Sequence, residues 1–212
     1  MKITVLGATG GIGKQLVEQS LDRGHAVTAV VRDAARLPVR DSGLTVVTVA
    51  GVDQPDVLAP AIQGSDAVLS AVGPRGRTDG PVAATSARAV LGAMQTSAVG
   101  RLVAVSAMPV GPAPRGESPF TRWLVLPILS ALLHSVYADL AAMEAELRRS
   151  TAAWTVVRPP KLVDGPLTGR YRTALGANVP RGSIISRADV AHAMLNALAQ
   201  PATIRQALGV AY

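Results

Sequence analysis

Seven residues near the start, Gly7-Ala-Thr-Gly-Gly-Ile-Gly13, constrain this chain more than any other stretch of it. They follow Lys2–Leu6, an apolar run of strand length. They lead into Gly11–Arg23, where Ile12, Leu16 and Leu21 fall near one face of a helix and Gly24 is a stop signal. Glycines are needed in such a turn because it uses open dihedral space and because a side chain would hold the backbone away from a phosphate. The helix that follows offers unpaired N–H groups and its positive end to an anion. A glycine trio alone is weak evidence, and a turn without a ligand is the alternative reading. Its place between a strand and a helix makes it a dinucleotide turn, with Gly7, Gly10, Gly11 and Gly13 around the pyrophosphate.

The next strand, Ala26–Val31, carries an independent indication of which dinucleotide. Sites that select NAD place an acid about 20 residues beyond the turn, on the ribose hydroxyls. Here the strand runs into Arg32, with Arg36 one helical turn later. A carboxylate would repel a 2′-phosphate, whereas guanidinium groups pair with it and stack on adenine. Asp33 stands beside Arg32 but points less convincingly at the ribose. The cofactor expected is therefore NADP(H). The alternative for Arg32 is a solvated loop charge.

Beyond this point, strands and helices alternate. Strands are expected over Leu44–Val49, Asp66–Val72, Arg101–Ser106 and Trp154–Val157, and helices over Asp56–Ile62, Pro81–Ser97, Tyr137–Arg149 and Ser186–Ala199. Such alternation implies right-handed crossovers: an α/β, Rossmann-type, doubly wound parallel sheet in a single domain spanning 1–212. The Gly73–Pro81 and Met108–Pro119 stretches read as loops at strand ends that border the ligand crevice, with a substrate-side loop and helix region around 108–136. The apolar part of that region, Trp123–Leu133, reads equally as a wall for a hydrophobic acceptor and as ordinary core or a dimer contact.

Composition narrows the function. There is no cysteine, which excludes disulfides, thiolate metal sites and thiol nucleophiles. His25, His134 and His192 lack metal-ligand spacing, so no metal is expected. The longest apolar run, Trp123–Val136, is about 14 residues with Pro127 inside it, short of the roughly 20 that a spanning helix needs. Met1 leads straight into a strand rather than a secretory leader. These features favour a cytoplasmic protein that does not engage a membrane. The net charge of +7 rests on 18 Arg and 3 Lys scattered along the chain, which suits a basic cleft for an anionic cofactor better than a nucleic-acid arm.

The chain resembles the atypical short-chain dehydrogenase/reductases, the NAD(P)H-binding branch that includes NmrA-like proteins, and within it the biliverdin-reductase-B type flavin reductases. The resemblance runs nearly end to end, through Gly7-Ala-Thr-Gly10, Val30–Pro38, Gly64–Val68, Val105-Ser-Ala107, Pro159–Gly169 and Ile185–Asp189. Pro166-Leu-Thr-Gly169 is its most specific segment. It implies that Thr9 and Ile12 join the glycines around the pyrophosphate. Val72, Gly73 and Arg75 would lie along the cofactor, Ser106 near the nicotinamide, and Pro159 and Pro160 would present backbone to its amide. There are departures. Gly51 stands where the family has an acid near the adenine, Lys161 where the flavin reductases have a histidine, and the Tyr-x-x-x-Lys pair is missing because Ala141 follows Tyr137 at that spacing.

Without that pair, the usual activated phenol for ketone reduction is absent. Hydride transfer to a flat conjugated acceptor, such as a flavin, quinone or bilin, needs less help, since the acceptor spreads the charge. Ser106 is then expected as a hydrogen-bond donor and Lys161 as a cation near the acceptor. The alternatives are a strand-end serine and a lysine that contacts a cofactor phosphate or solvent. Tyr137 reads as a helix residue with its hydroxyl in water, and Asp139, Glu144 and Glu146 as a solvated helix face. The expected function is an NADPH-dependent reductase of a small-molecule acceptor, as monomer or homodimer. A non-catalytic NADP(H)-binding sensor is the alternative.

Overall fold

The computed structural model describes residues 1–74, 80–112 and 133–212. β1 (Lys2–Leu6) pairs in parallel with β2 (Ala26–Val31) on one side and β4 (Ala67–Ser70) on the other. β3 (Leu44–Thr48) lies outside β2, while β5 (Arg101–Val105) and β6 (Ala153–Arg158) extend the sheet beyond β4, all in parallel. The order of these six strands is β3-β2-β1-β4-β5-β6. It reverses direction at β1, so the crevice between the carboxyl ends of β1 and β4 is the switch point of the sheet.

The helices cover both faces. α1 (Gly11–Asp22) packs with α5 (Arg187–Leu198) on one side, and α2 (Pro55–Ile62), α3 (Val82–Thr96) and α4 (His134–Arg149) pack on the other. Alternate strand residues supply the two cores. Ile3, Val5, Val103 and Val157 meet α1 and α5, whereas Leu6, Leu102, Ala104 and Val156 meet α2, α3 and α4. With apolar residues on both faces, the inner strands become continuous apolar runs, as a doubly covered parallel sheet requires.

The expected strands and helices all form, with ends shifted by a few residues. Four strands were not foreseen. β10 (Gln206–Ala211) continues the sheet in parallel beside β6, and β8 (Arg172–Leu175) closes its edge antiparallel to β10. β7 (Lys161–Val163) and β9 (Ile184–Ser186) form a small parallel sheet of their own. β7, β8 and β9 are only three or four residues long, too short to show a period. β10 contains Gly209, where an added Cβ would come within 2.4 Å of the Ala177 carbonyl oxygen. A glycine inside a strand marks such close backbone approach and conceals the strand pattern. No helix among the described residues is long and apolar enough to cross a membrane.

Candidate cofactor and active site

The glycine turn is built by two of its glycines. Gly7 leaves β1 at φ +75°, and a Cβ there would lie 2.6 Å from the Ala71 carbonyl oxygen at the end of β4. A Cβ on Gly13 would lie 2.0 Å from the Gly7 carbonyl oxygen, so the first turn of α1 can close on the loop only without one. Gly10 differs. Its φ is −80°, and the only nearby atom a Cβ would meet is the Gly7 oxygen at 3.2 Å. The protein's own packing asks for glycine less strongly at position 10 than at 7 or 13, since a Cβ there needs its neighbour to give only slightly, and approach by a ligand is a further reason for it.

α1 begins with no side-chain cap and no acidic residue in its first turn. α4, which lines the crevice through Val136 and Leu140, also starts without a side-chain cap, but two other helices there are treated differently. α3 receives the Asp139 carboxylate, which accepts from the N–H groups of Ala83 at 2.8 Å and Ala84 at 2.9 Å. α5 is capped by Ser186, whose Oγ accepts from the Asp189 N–H at 3.0 Å. The open positive helix end at the switch point is therefore that of α1.

A cavity of about 730 Å³ runs along this crevice. Gly7, Thr9, Gly10, Gly11 and Ile12 line it, with Arg32 beyond β2, Val72 and Gly73 beyond β4, and Ser106 beyond β5. Val52, Val105, Val136, Leu140 and Leu162 make much of the rest apolar. Ser106 is 93% buried by its 7% exposure, and its Oγ has no hydrogen-bond partner among the described residues, though its N–H donates to the Val157 carbonyl. A buried hydroxyl without a partner is costly, and this one is on the cavity wall, where a ligand can satisfy it. The uncapped helix, the ligand-facing Gly10 and this hydroxyl together fit a dinucleotide.

Other expected residues are placed elsewhere. Gly13 is inside the turn rather than on the wall. Arg36 ends an exposed single helical turn, Ala34–Arg36, and does not line the cavity. Asp33 uses its carboxylate to accept from the Ala35 N–H at 3.0 Å and caps that turn, which takes it off the ribose. Pro159 is buried, with its carbonyl accepting from the Met108 N–H at 2.8 Å. Pro160 is half-buried and Lys161 is exposed at the start of β7; none of the three lines the cavity. Arg75 and the 113–132 part of the substrate-side region lie outside the described residues.

The helix α4 corrects one expectation. Asp139 and Glu144 are 5% and 1% exposed, so they belong to the interior rather than to a solvated face. Glu144 forms a fork-to-fork pair with the buried Arg158 (Nε to Oε1, 2.9 Å) and also receives Arg148. The Arg158 guanidinium packs on Gly111, where a Cβ would sit 2.4 Å from Nη1. Asn178 then ties the Met108 and Pro112 carbonyls at 2.8 and 2.9 Å. This network fixes the loop that carries Ser106, and no local pattern announces it, since its members are far apart in the chain.

The Pro166-Leu-Thr-Gly169 segment also has a structural task. The fully buried Asp189 carboxylate accepts from the Thr168 and Gly169 N–H groups, the Thr168 hydroxyl and the Tyr212 hydroxyl. Burial alone would raise its pKa, but these hydrogen bonds outweigh burial and hold it below the usual aspartate value. Nearby, the Tyr171 hydroxyl meets His192 Nδ1 at 2.8 Å, and burial pulls the imidazole pKa down.

The fold and the glycine turn at its switch point define a dinucleotide-binding protein of the Rossmann type. The chain belongs to a family described as NAD(P)H-binding, whose model matches residues 7–201. Among its relatives is an uncharacterised chloroplastic protein of Arabidopsis thaliana, At2g34460, 33% identical over 209 residues, covering 94% of this chain and 72% of that one. Solved structures with the same fold include a short-chain dehydrogenase/reductase from Veillonella parvula in complex with NADP (TM-score 0.79, 23% identity, 100% of this chain and 94% of that one). ChuY from Escherichia coli O157:H7, described as an anaerobillin reductase, is similar as well (TM-score 0.79, 21% identity, 100% and 97%). The family match bears out an NAD(P)H-binding chain, and the solved structures share its fold.

Proposed function

We propose that this protein is an NADPH-dependent reductase that delivers hydride to a flat conjugated acceptor of the flavin, quinone or bilin class. The observation that carries this reading is the character of the cavity. Its described wall holds cations only at Arg32 and Arg187 and hydroxyls at Thr9 and Ser106, with no carboxylate, imidazole or phenol. Such a wall binds anions and apolar rings, and among its described residues there is no general acid. It suits an acceptor that delocalises charge and takes its proton later from water.

Bound NADPH supplies the hydride. The chain's residues position and shield. Gly7, Thr9, Gly10, Gly11 and Ile12 with the open end of α1 would hold the pyrophosphate, and Arg32 the 2′-phosphate, with Arg36 as a further cation towards that end. Val72 and Gly73 flank the path to the nicotinamide. Ser106 would offer its unpartnered hydroxyl there, and Lys161, exposed and off the cavity wall, would act on anionic acceptors only as they approach. Val136, Leu140 and Leu162 keep water from the ring system.

NADPH oxidation with a panel of flavins, quinones and bilins tests the reading. Turnover of one class, reduced at least about 10-fold more with NADPH than with NADH by Arg32→Glu, is the expected result, since a charge-assisted pair to the 2′-phosphate is reversed. Equal losses with both cofactors would remove Arg32 from that role. The same lack of a general acid favours a second reading, a non-catalytic NADP(H) sensor. Tight NADPH binding with no turnover of any acceptor would select it.

A further inference from the structure

Arg187 was not among the residues expected at the cofactor, yet it lines the cavity. It stands in the first turn of α5, and its stem crosses the start of α1. A Cβ on Gly11 would lie 2.5 Å from Arg187 Cδ and 3.0 Å from Nε. Gly11 is therefore the residue that lets an arginine lie on the N-terminal turn of α1. A cation there is opposed by the helix dipole, and α1 brings no acid or side-chain cap to offset it. The counter-charge is Asp164, which accepts from Arg187 Nη1 at 2.6 Å. That carboxylate is 94% exposed, whereas Arg187 is 32% exposed, and a pair open to water on one side holds weakly.

We propose that Arg187 is a pyrophosphate-binding residue and that Asp164 is the stand-in anion it gives up when a dinucleotide enters. The proposal rests on the cavity being a NAD(P)H site. The cofactor's diphosphate would lie between two positive features that otherwise face each other, the open end of α1 and the Arg187 guanidinium. It would thereby remove their repulsion while gaining a charge-assisted contact. On this account Arg187 serves both nicotinamide cofactors alike, in contrast to Arg32, and Asp164 acts against binding.

Titration of the whole chain with NADPH, NADH, ADP-ribose and 2′-AMP tests this, with thermal unfolding to confirm that each variant is folded. Arg187→Gln is expected to weaken NADPH, NADH and ADP-ribose together by at least about 10-fold, the worth of a charged hydrogen bond, and to leave 2′-AMP unchanged because it has no pyrophosphate. Arg187→Lys should recover part of the loss. Asp164→Asn, a change at an exposed position, should tighten the three diphosphates by about 2- to 5-fold, the competition an exposed pair can exert. Unchanged affinity in Arg187→Gln while the wild-type chain binds NADPH overturns the Arg187 role alone. Weakening by Asp164→Asn would show that the carboxylate positions the arginine, and would overturn the exchange. If the wild-type chain binds none of these ligands, the proposed function falls and this inference with it.

Discussion

At the scale of single residues, the glycines of the turn separate by what a side chain would meet. Gly13 and Gly7 are held by the protein's own backbone, since a Cβ on either would come within 2.0 to 2.6 Å of a carbonyl oxygen. Gly10 is held by nothing but its distance of 3.2 Å from the Gly7 oxygen. Gly10→Val is therefore expected to leave a folded protein that no longer binds NADPH, because the branched side chain stands in the pyrophosphate's path. Gly13→Val should instead destabilise the fold itself. Circular dichroism and thermal unfolding beside a cofactor titration distinguish the two. A Gly10→Val variant with full NADPH affinity would place the dinucleotide elsewhere.

At the scale of elements, the treatment of helix ends decides where an anion can go. Of the helices that line the crevice, α3 and α5 have their first N–H groups satisfied by side chains, whereas α1 and α4 do not, and of these two α1 is the one that starts at the switch point. Asp139 from α4 spans to α3 and joins the two helices while satisfying two buried donors. Asp139→Ala should cost about 2 kcal/mol of stability, a lost cap together with donors left without partners. Denaturant midpoints would show it, with NADPH affinity changed far less than by Gly10→Val. A variant as stable as the parent would mean that water replaces the carboxylate without penalty.

At the scale of the whole molecule, the C-terminal third is closed by the Asp189 hub, which joins α5, the 166–169 segment and the terminal Tyr212. Its pKa is depressed in the folded chain, so its contribution to stability is fully present above the unfolded value and is lost as pH falls through the folded one. Stability is accordingly expected to decline below about pH 4, near where an unperturbed aspartate titrates, and Asp189→Asn should flatten that part of the profile while lowering stability at pH 7. Unfolding free energies measured from pH 7 to pH 2.5 provide the check. An unaltered acid limb in the variant would assign acid lability to other carboxylates.

The strand–glycine turn–helix, the alternation of parallel strands with helices and the basic residue after β2 were legible in the sequence, because each signal is carried by residues within about 20 positions of one another. Period, glycine spacing and a single charge are local signals. What only the tertiary structure decided is long-range. The Arg158–Glu144 pair and the Asn178 bonds to Met108 and Pro112 join distant parts of the chain, the Arg187 stem lies over Gly11 across most of its length, and β7 to β9 are short segments whose strand character comes from their neighbours. The same distinction explains Asp139 and Glu144. Helical spacing sets which face a carboxylate occupies, but whether that face meets water or another helix depends on what the fold packs against it.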